Sequence, residues 1–246
     1  RGLGDVYKRQ GSNIGVGGII AFASTTNADG NNFNTVTNCM VSSGSAGLTG
    51  VTIGSVPGPA SVPNNSNTIS NNEIFDFFAP AANSYGIFLS DNNNDWVISG
   101  NSIYSTVSRT LTGGSANRNW CGIGIAPSGS ASSSNGNQIL NNYIGGTAAN
   151  CGGSALTLTN SGSGTLLLRP IILEVGTTTP TSVQGNTIQN ISIETSSTSV
   201  LQSLISAVTG SINIGTVTGN ILGSNTGTGS IQFTQNTAST APRFAA

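Results

Sequence analysis

The feature that most constrains this chain is an eight-residue pattern that keeps returning: Asn, any residue, Ile or Val, any residue, Asn, two residues, then Ile or Val. It reads NTVTNCMV at Asn34 to Val41, NTISNNEI at Asn67 to Ile74, NQILNNYI at Asn137 to Ile144 and NTIQNISI at Asn186 to Ile193. Looser copies begin at Asn101 (NSIYSTVS) and Asn220 (NILGSN), and four of the six leading asparagines follow a glycine, at Gly100, Gly136, Gly185 and Gly219. A recurring register of this kind marks a repeat architecture, in which no unit can bury its apolar face alone and each must stack on the next.

A second segment keeps step with the first. Fifteen residues before the leading asparagines stand Ile19, Thr52, Gly86, Gly122, Ile171 and Ile205, and the windows starting there read IIAFA, TIGSV, GIFLS, GIGIA, IILEV and ISAVT. All six are short, apolar or small, and strand-like. A third candidate strand lies between window and motif, clearest at Trp96-Val97-Ile98 and Ile212-Asn213-Ile214. Measured between leading asparagines the repeats are 33, 34, 36, 49 and 34 residues long. On this reading one edge of the structure has a fixed length and the opposite edge accepts insertions, the longest being residues 145–170.

Composition decides between strand and helix. Gly, Ser, Thr and Asn supply 128 of the 246 residues, whereas good helix formers are scarce. The expected fold is therefore all-β: a solenoid of about 34 residues and three short strands per coil, roughly seven coils, with successive coils about 4.8 Å apart. Ile69, Ile103, Ile139 and Ile188 are expected in one internal stack. Asn34, Asn67, Asn101, Asn137, Asn186 and Asn220 are expected at equivalent corners, their amides bonded along the axis.

The repeated GN-x-I-x-N segments, the GIFLS strand, the NCGG stretch at Asn150 to Gly153 and the INIGTVTGN run ending at Asn220 resemble right-handed parallel β-helix proteins. The likeness is to large secreted or cell-surface examples from Gram-negative bacteria, and it spans about residues 19–238. It implies right-handed winding and export to the cell surface or medium. It implies no particular activity, because one scaffold hosts many functions.

Residues 1–10, RGLGDVYKRQ, back-translate through a transposase mosaic-end adapter, so the expected domain is residues 11–246, an internal piece of a longer solenoid. Trimming leaves four Arg and seven acids. With no basic excess there is no electrostatic footprint for nucleic acid. No apolar run approaches the roughly 18 residues of a membrane helix. With no His in the chain, Ser-His pairs and histidine metal sites are excluded.

The remaining candidates for chemistry are few. Asp91, Asn93 and Asp95 space oxygen ligands as calcium loops do, but Trp96 and Ser102 replace the glycine and the final acid of such loops. Calcium is the only cofactor this suggests. Trp96 and Trp120, with Tyr85, Tyr104 and Tyr143, are candidates for a sugar-stacking surface, and Arg169 for a ligand contact. Cys121 and Cys151 can be placed in adjoining coils, close enough for a disulfide, whereas Cys39 is too distant. Glu73 and Asp76 are the one local acid pair, and Glu174 either faces outward or marks a one-residue slip of its strand. The expected function is a non-enzymatic secreted or cell-surface module, stalk-like or adhesin-like, whose partners are surface glycans or matrix. The competing expectation is a carbohydrate-active enzyme, a polysaccharide lyase or glycoside hydrolase, or a glycan-binding module, using the 145–170 segment.

Overall fold

The computed structural model describes residues 18–24, 30–43, 50–57, 62–112, 116–127, 133–162, 164–195, 201–224, 230–235 and 243–244; the adapter-like residues 1–10 lie outside this set. Among the described residues the regular structure is strand, with no helix. Sheet I holds Ile20–Ala23, Val51–Val56, Ser84–Leu89, Arg118–Ile125, Leu166–Leu168, Ile171–Glu174, Leu201–Gln202, Ile205–Thr209 and Arg243–Phe244. Sheet II runs Thr35–Thr37, Thr68–Ser70, Val97–Ser99, Gln138–Leu140, Thr181–Gln184 and Ile212–Ile214. Sheet III runs Met40–Ser42, Glu73–Phe75, Ser102–Tyr104, Tyr143–Ile144, Thr187–Ile188 and Ile221–Leu222. A fourth sheet, Arg109–Leu111, Leu156–Asn160, Ile191–Thr195 and Ile231–Gln235, starts only midway along the chain.

Every pairing between these strands is parallel. In sheets II and III the spatial order of strands is also their order along the chain. Parallel neighbours need a connection that returns to the same end, so the chain winds, one turn upon the last, in solenoid fashion.

Three columns of aliphatic side chains fill the interior. Ile20, Ile53, Ile87, Ile123, Ile171 and Ile205 stand in register in sheet I. Val36, Ile69, Ile98, Ile139, Val183 and Ile214 do so in sheet II. Val41, Ile74, Ile103, Ile144, Ile188 and Leu222 do so in sheet III. The inner members of all three columns belong to one continuous core. Each fully buried Ile contributes roughly 1.5–3 kcal/mol, and only stacking provides that burial.

The bend between sheets II and III shows why the asparagines recur. Asn72 Oδ1 accepts from the Cys39 amide at 2.9 Å, Asn101 Oδ1 from Asn72 at 3.0 Å, Asn142 Oδ1 from Asn101 at 3.0 Å, Asn186 Oδ1 from Asn142 at 3.0 Å and Asn220 Oδ1 from Asn186 at 2.9 Å. Each Nδ2 in turn reaches back to a carbonyl of the preceding winding, as Asn101 does to Ile69 O at 2.9 Å. Asn34, Asn67, Trp96 and Asn137 form a second, separate ladder: the Asn34 amide donates to Asn67 Oδ1 and the Trp96 amide to Asn137 Oδ1. Just before most rungs the backbone turns left-handed, at Asn71, Gly100, Asn141 and Gly185 in one ladder and Ser66, Asp95 and Gly136 in the other, whereas Gly219 before Asn220 does not. Gly100 is required twice over, because its φ is +64° and a methyl group there would collide with the Asn71 side-chain oxygen.

These ladders correct the expected single stack. Asn101, Asn186 and Asn220 line up with the sixth residue of the other motif copies (Asn72, Asn142), not with the leading Asn34, Asn67 and Asn137. Likewise Ile69 and Ile139 belong to the sheet II column, and Ile103 and Ile188 to the sheet III column. The cause is the turn from sheet I to sheet II. It is long between Ile53 and Asn67 and between Ile123 and Asn137, and shorter by about one bend between Ile87 and Trp96 and between Ile171 and Thr181. That turn is therefore not the fixed edge expected from a constant offset. The window starting at Ile171 is also one residue out of phase, since Pro170, not Ile171, meets Gly122.

Candidate functional site

Two clusters gather several of the ionisable groups among the described residues, and most of their members are buried. The first lies where the fourth sheet begins. Asp76 sits at a left-handed bend, and its carboxylate meets Arg109 of the next winding at 2.9 Å, both side chains 6% exposed. Asp76 also accepts from Thr106 N at 2.9 Å, Thr106 Oγ1 at 2.6 Å and Ser105 Oγ at 3.2 Å. Arg109 Nε donates to Ser105 Oγ at 3.1 Å, and its guanidinium stands 5.9 Å from the Phe78 ring centroid. Arg109 opens the first strand of the fourth sheet, so this ion pair fastens the new strand to a winding that has none. Glu73 turns elsewhere and accepts from Tyr104 Oη at 2.7 Å. Burial, and then that bond, push the Tyr104 phenol far above its usual value. The local acid pair of the sequence is thus split between two unrelated partners.

The second cluster is on the face of sheet I turned away from the core. Ile171 and Leu173 point into the core, whereas Ile172 packs outside with Tyr85 and Cys121, flanked by Val51 and Phe88. The Tyr85 and Phe88 rings lie 5.0 Å apart at 57°. Burial drives the Cys121 thiol and the Tyr85 phenol far above their usual ranges, with Arg169 opposing both shifts weakly. A thiol held protonated in this way is a packing group and no nucleophile. Ile171, Leu173 and Val175 all belong to the core, so the alternation is unbroken and Glu174 faces outward, which answers the alternative left open by the sequence; the register shift beside it lies in the pairing with Ile205–Thr209, where Val208 is the extra residue. Glu174 is buried against this face, and Arg169 is half-buried beside it.

The remaining candidates take structural posts. Trp96 is fully buried, its Nε1 donating to Asn64 O at 2.8 Å and its ring edge-on to Phe22. Trp120 is 1% exposed and stacks on Phe77 at 5.3 Å. Neither can offer a ring to a sugar, which corrects the stacking expectation. Large aromatic rings fill the wide places in the interior. Asp91, Asn93 and Asp95 do not converge. Asn93 points inward, accepting from Ser55 Oγ at 2.5 Å and donating to Ser90 O at 2.7 Å. Asp91 Oδ1 accepts from Ser133 N at 2.6 Å, and Asp95 is exposed at a left-handed bend. No three His, Cys, Asp or Glu among the described residues stand together as metal ligands do.

Cys121 and Cys151 are both free thiols, so the anticipated disulfide between them is not formed. Cys121 lies on the outer face of sheet I, whereas Cys151 occupies a turn beside sheet III and donates toward Thr187 O at 3.7 Å. Residues 145–170 contain Leu156–Asn160 and Leu166–Leu168, each paired in parallel on both sides, so much of this segment is ordinary winding.

The Asp76–Arg109 pair is the main feature that sequence reasoning missed. Both residues were visible as charges, but their meeting depends on Ser105 following Tyr104 into the same bend that Asp76 occupies one winding earlier, where the Asp76 amide donates to Tyr104 O. No family model, curated protein or solved structure matches the chain.

Proposed function

We propose that the chain is a right-handed parallel β-helix of six to seven windings that acts as a non-enzymatic secreted or cell-surface module, a stalk or adhesion scaffold whose flanks contact glycans or matrix. One observation carries this reading: the groups able to do chemistry are spent on holding windings together. Asp76 is paired with Arg109, Glu73 binds Tyr104, Asn93 binds Ser55, and both tryptophans are internal. What the flanks present are rows of small polar side chains, such as Thr35 beside Thr68 and Thr37 beside Ser70 and Ser99. Right-handed winding is the expectation for parallel strands joined by crossovers, and the sparsely charged, lysine-poor flanks suit an exported protein. No helix among the described residues is long and apolar enough to cross a membrane.

The test is to incubate the folded chain with uronate and neutral polysaccharides and follow new reducing ends, while a glycan array reads retention. The expected result is saturable retention on glycans or matrix with no turnover. Turnover that survives repurification would replace this reading with a carbohydrate-active enzyme. Fusing the complete gene to a reporter active only outside the cytoplasm tests export, and a reporter that stays silent sinks that part.

A further inference from the structure

The turn that leads into the Gln138–Leu140 strand of sheet II contains the only Asn-Gly dipeptide in the sequence, Asn135-Gly136. This pair is chemically labile. Glycine has no side chain to shield its amide nitrogen, which can attack Cγ of the asparagine before it. The new N–Cγ bond closes a succinimide ring, and the side-chain nitrogen leaves as ammonia with the amide proton. Water then opens the ring at one carbonyl or the other, giving aspartate or isoaspartate.

The fold keeps the two reacting groups off this path. Gly136 N donates to Thr179 O of the next winding at 3.0 Å, so its proton is engaged. Asn135 Oδ1 accepts from Thr178 N at 3.0 Å and Nδ2 donates to Ser133 O at 2.7 Å, which fixes the rotation of the side-chain amide. In the preceding winding Asn94 Oδ1 accepts from Asn135 N at 2.8 Å, and Asp95 N donates to Asn135 O at 2.9 Å. The side chain is also hemmed in, since a methyl group on Gly176 would collide with Asn135 Oδ1.

We propose that Asn135 is a deamidation site gated by the fold: it reacts when the turn from Ser133 to Asn137 opens, and the product keeps that turn from closing again. Isoaspartate threads the side-chain methylene into the backbone two residues before Asn137, whose Oδ1 holds the Trp96 amide at 3.0 Å. Aspartate instead loses the donor to Ser133 O and sets a carboxylate oxygen against that carbonyl. Either product adds a negative charge to a turn already flanked by Asp91, which accepts from Ser133 N, and by Asp95. A reaction that runs through a local opening proceeds in proportion to the open population. The site therefore records, irreversibly, how often this edge of the winding loosens.

Peptide mapping by mass spectrometry tests this on the whole chain, incubated at mildly alkaline pH in buffer and, in parallel, in denaturant. In denaturant Asn135 is expected to convert before any other asparagine, and in buffer its conversion is slower by about tenfold or more. Thr178→Pro removes the amide that holds Asn135 Oδ1; it speeds conversion in buffer and leaves the rate in denaturant unchanged. Asn94→Ala, which removes the acceptor for Asn135 N, takes its place if far-UV circular dichroism shows that Thr178→Pro does not fold. Limited proteolysis cuts the converted fraction between residues 133 and 137 faster than the unconverted one. Equal rates in buffer and denaturant overturn the gating, as does another asparagine converting first in denaturant or a loosened variant that reacts no faster than the parent. A converted fraction as resistant to protease as the parent overturns the failure to close.

Discussion

The two sides of each winding are built on opposite principles. The bend between sheets II and III repeats one solution: Ile69 and Ile74, Ile98 and Ile103, Ile139 and Ile144, and Val183 and Ile188 are spaced identically, with a left-handed residue and a ladder asparagine between them. The return from sheet III to sheet I lengthens from Val41–Ile53 to Ile144–Ile171, and each lengthening has its own fastening. The fourth sheet is held at its start by Asp76 and Arg109. Further on, Asn190 Nδ2 lies 3.1 Å from Cys151 O, Gly153 O and Ser154 O alike. Repetition spreads stability over many equal contacts, whereas variation concentrates it in single ones.

The largest expected effect breaks the variable side. Arg109→Met leaves the Asp76 carboxylate buried without its cation, which costs about 3–5 kcal/mol. The double variant Asp76→Leu/Arg109→Met, which removes both charges, recovers much of that loss. Denaturant unfolding reads the stability, and hydrogen exchange at Arg109–Leu111 shows where it is lost. If the single variant is as stable as the parent, the return segment is not anchored there.

Breaking the repeated side costs less per site. Asn101→Ala strips an acceptor from the buried Asn72 amide and donors from Ile69 O and Asn142 Oδ1, about 2–4 kcal/mol at the usual price of buried unpaired groups. Asn220→Ala at the half-buried last rung among the described residues costs less, about 1 kcal/mol. Equal losses at the two rungs contradict a ladder whose strength comes from burial.

The same contrast governs what could be read in advance. The solenoid was legible because the bend repeats, and the columns of Ile and Val follow from it. The phase was not, since one motif holds two rungs five residues apart and a shortened sheet I–sheet II turn slides one onto the other. The dipeptides Asn71-Asn72, Gly100-Asn101, Asn141-Asn142, Gly185-Asn186 and Gly219-Asn220 carry the missing signal: a residue tolerant of left-handed geometry just before the rung. The fastenings of the variable side occur once each, so no periodicity announces them, and Trp96 hides a rung because its amide serves where a side chain is expected.

Alkaline pH loads every buried thiol and phenol whose deprotonation burial opposes, Cys121, Tyr85 and Tyr104 as well as Cys151, and Cys151 is the one on the variable side. Burial pushes the Cys151 thiol from 9.0 up to about 11, so the folded state favours the protonated form. Its contribution is complete below pH 9.0 and is lost as pH rises through about 11, on the order of 2–3 kcal/mol. Unfolding midpoints of the parent fall across that window, and those of Cys151→Ser fall less. Parallel curves for the two proteins would remove Cys151 from the account.

The smallest effect sharpens the comparison from within the repeated side. Gly100 and Gly219 precede rungs of the same ladder, but only Gly100 has a neighbouring winding pressed against it: a methyl group there meets Asn71, and one at Gly219 meets nothing. Gly100→Ala therefore costs about 1–2 kcal/mol from left-handed backbone alone, with the collision added. Gly219→Ala leaves the unfolding midpoint unchanged or slightly raised, since alanine lowers the entropy of the unfolded chain. Gly100 is left-handed, at a φ of +64°, and Gly219 is not, so the difference between these two substitutions reads the dihedral angle and the close stacking together.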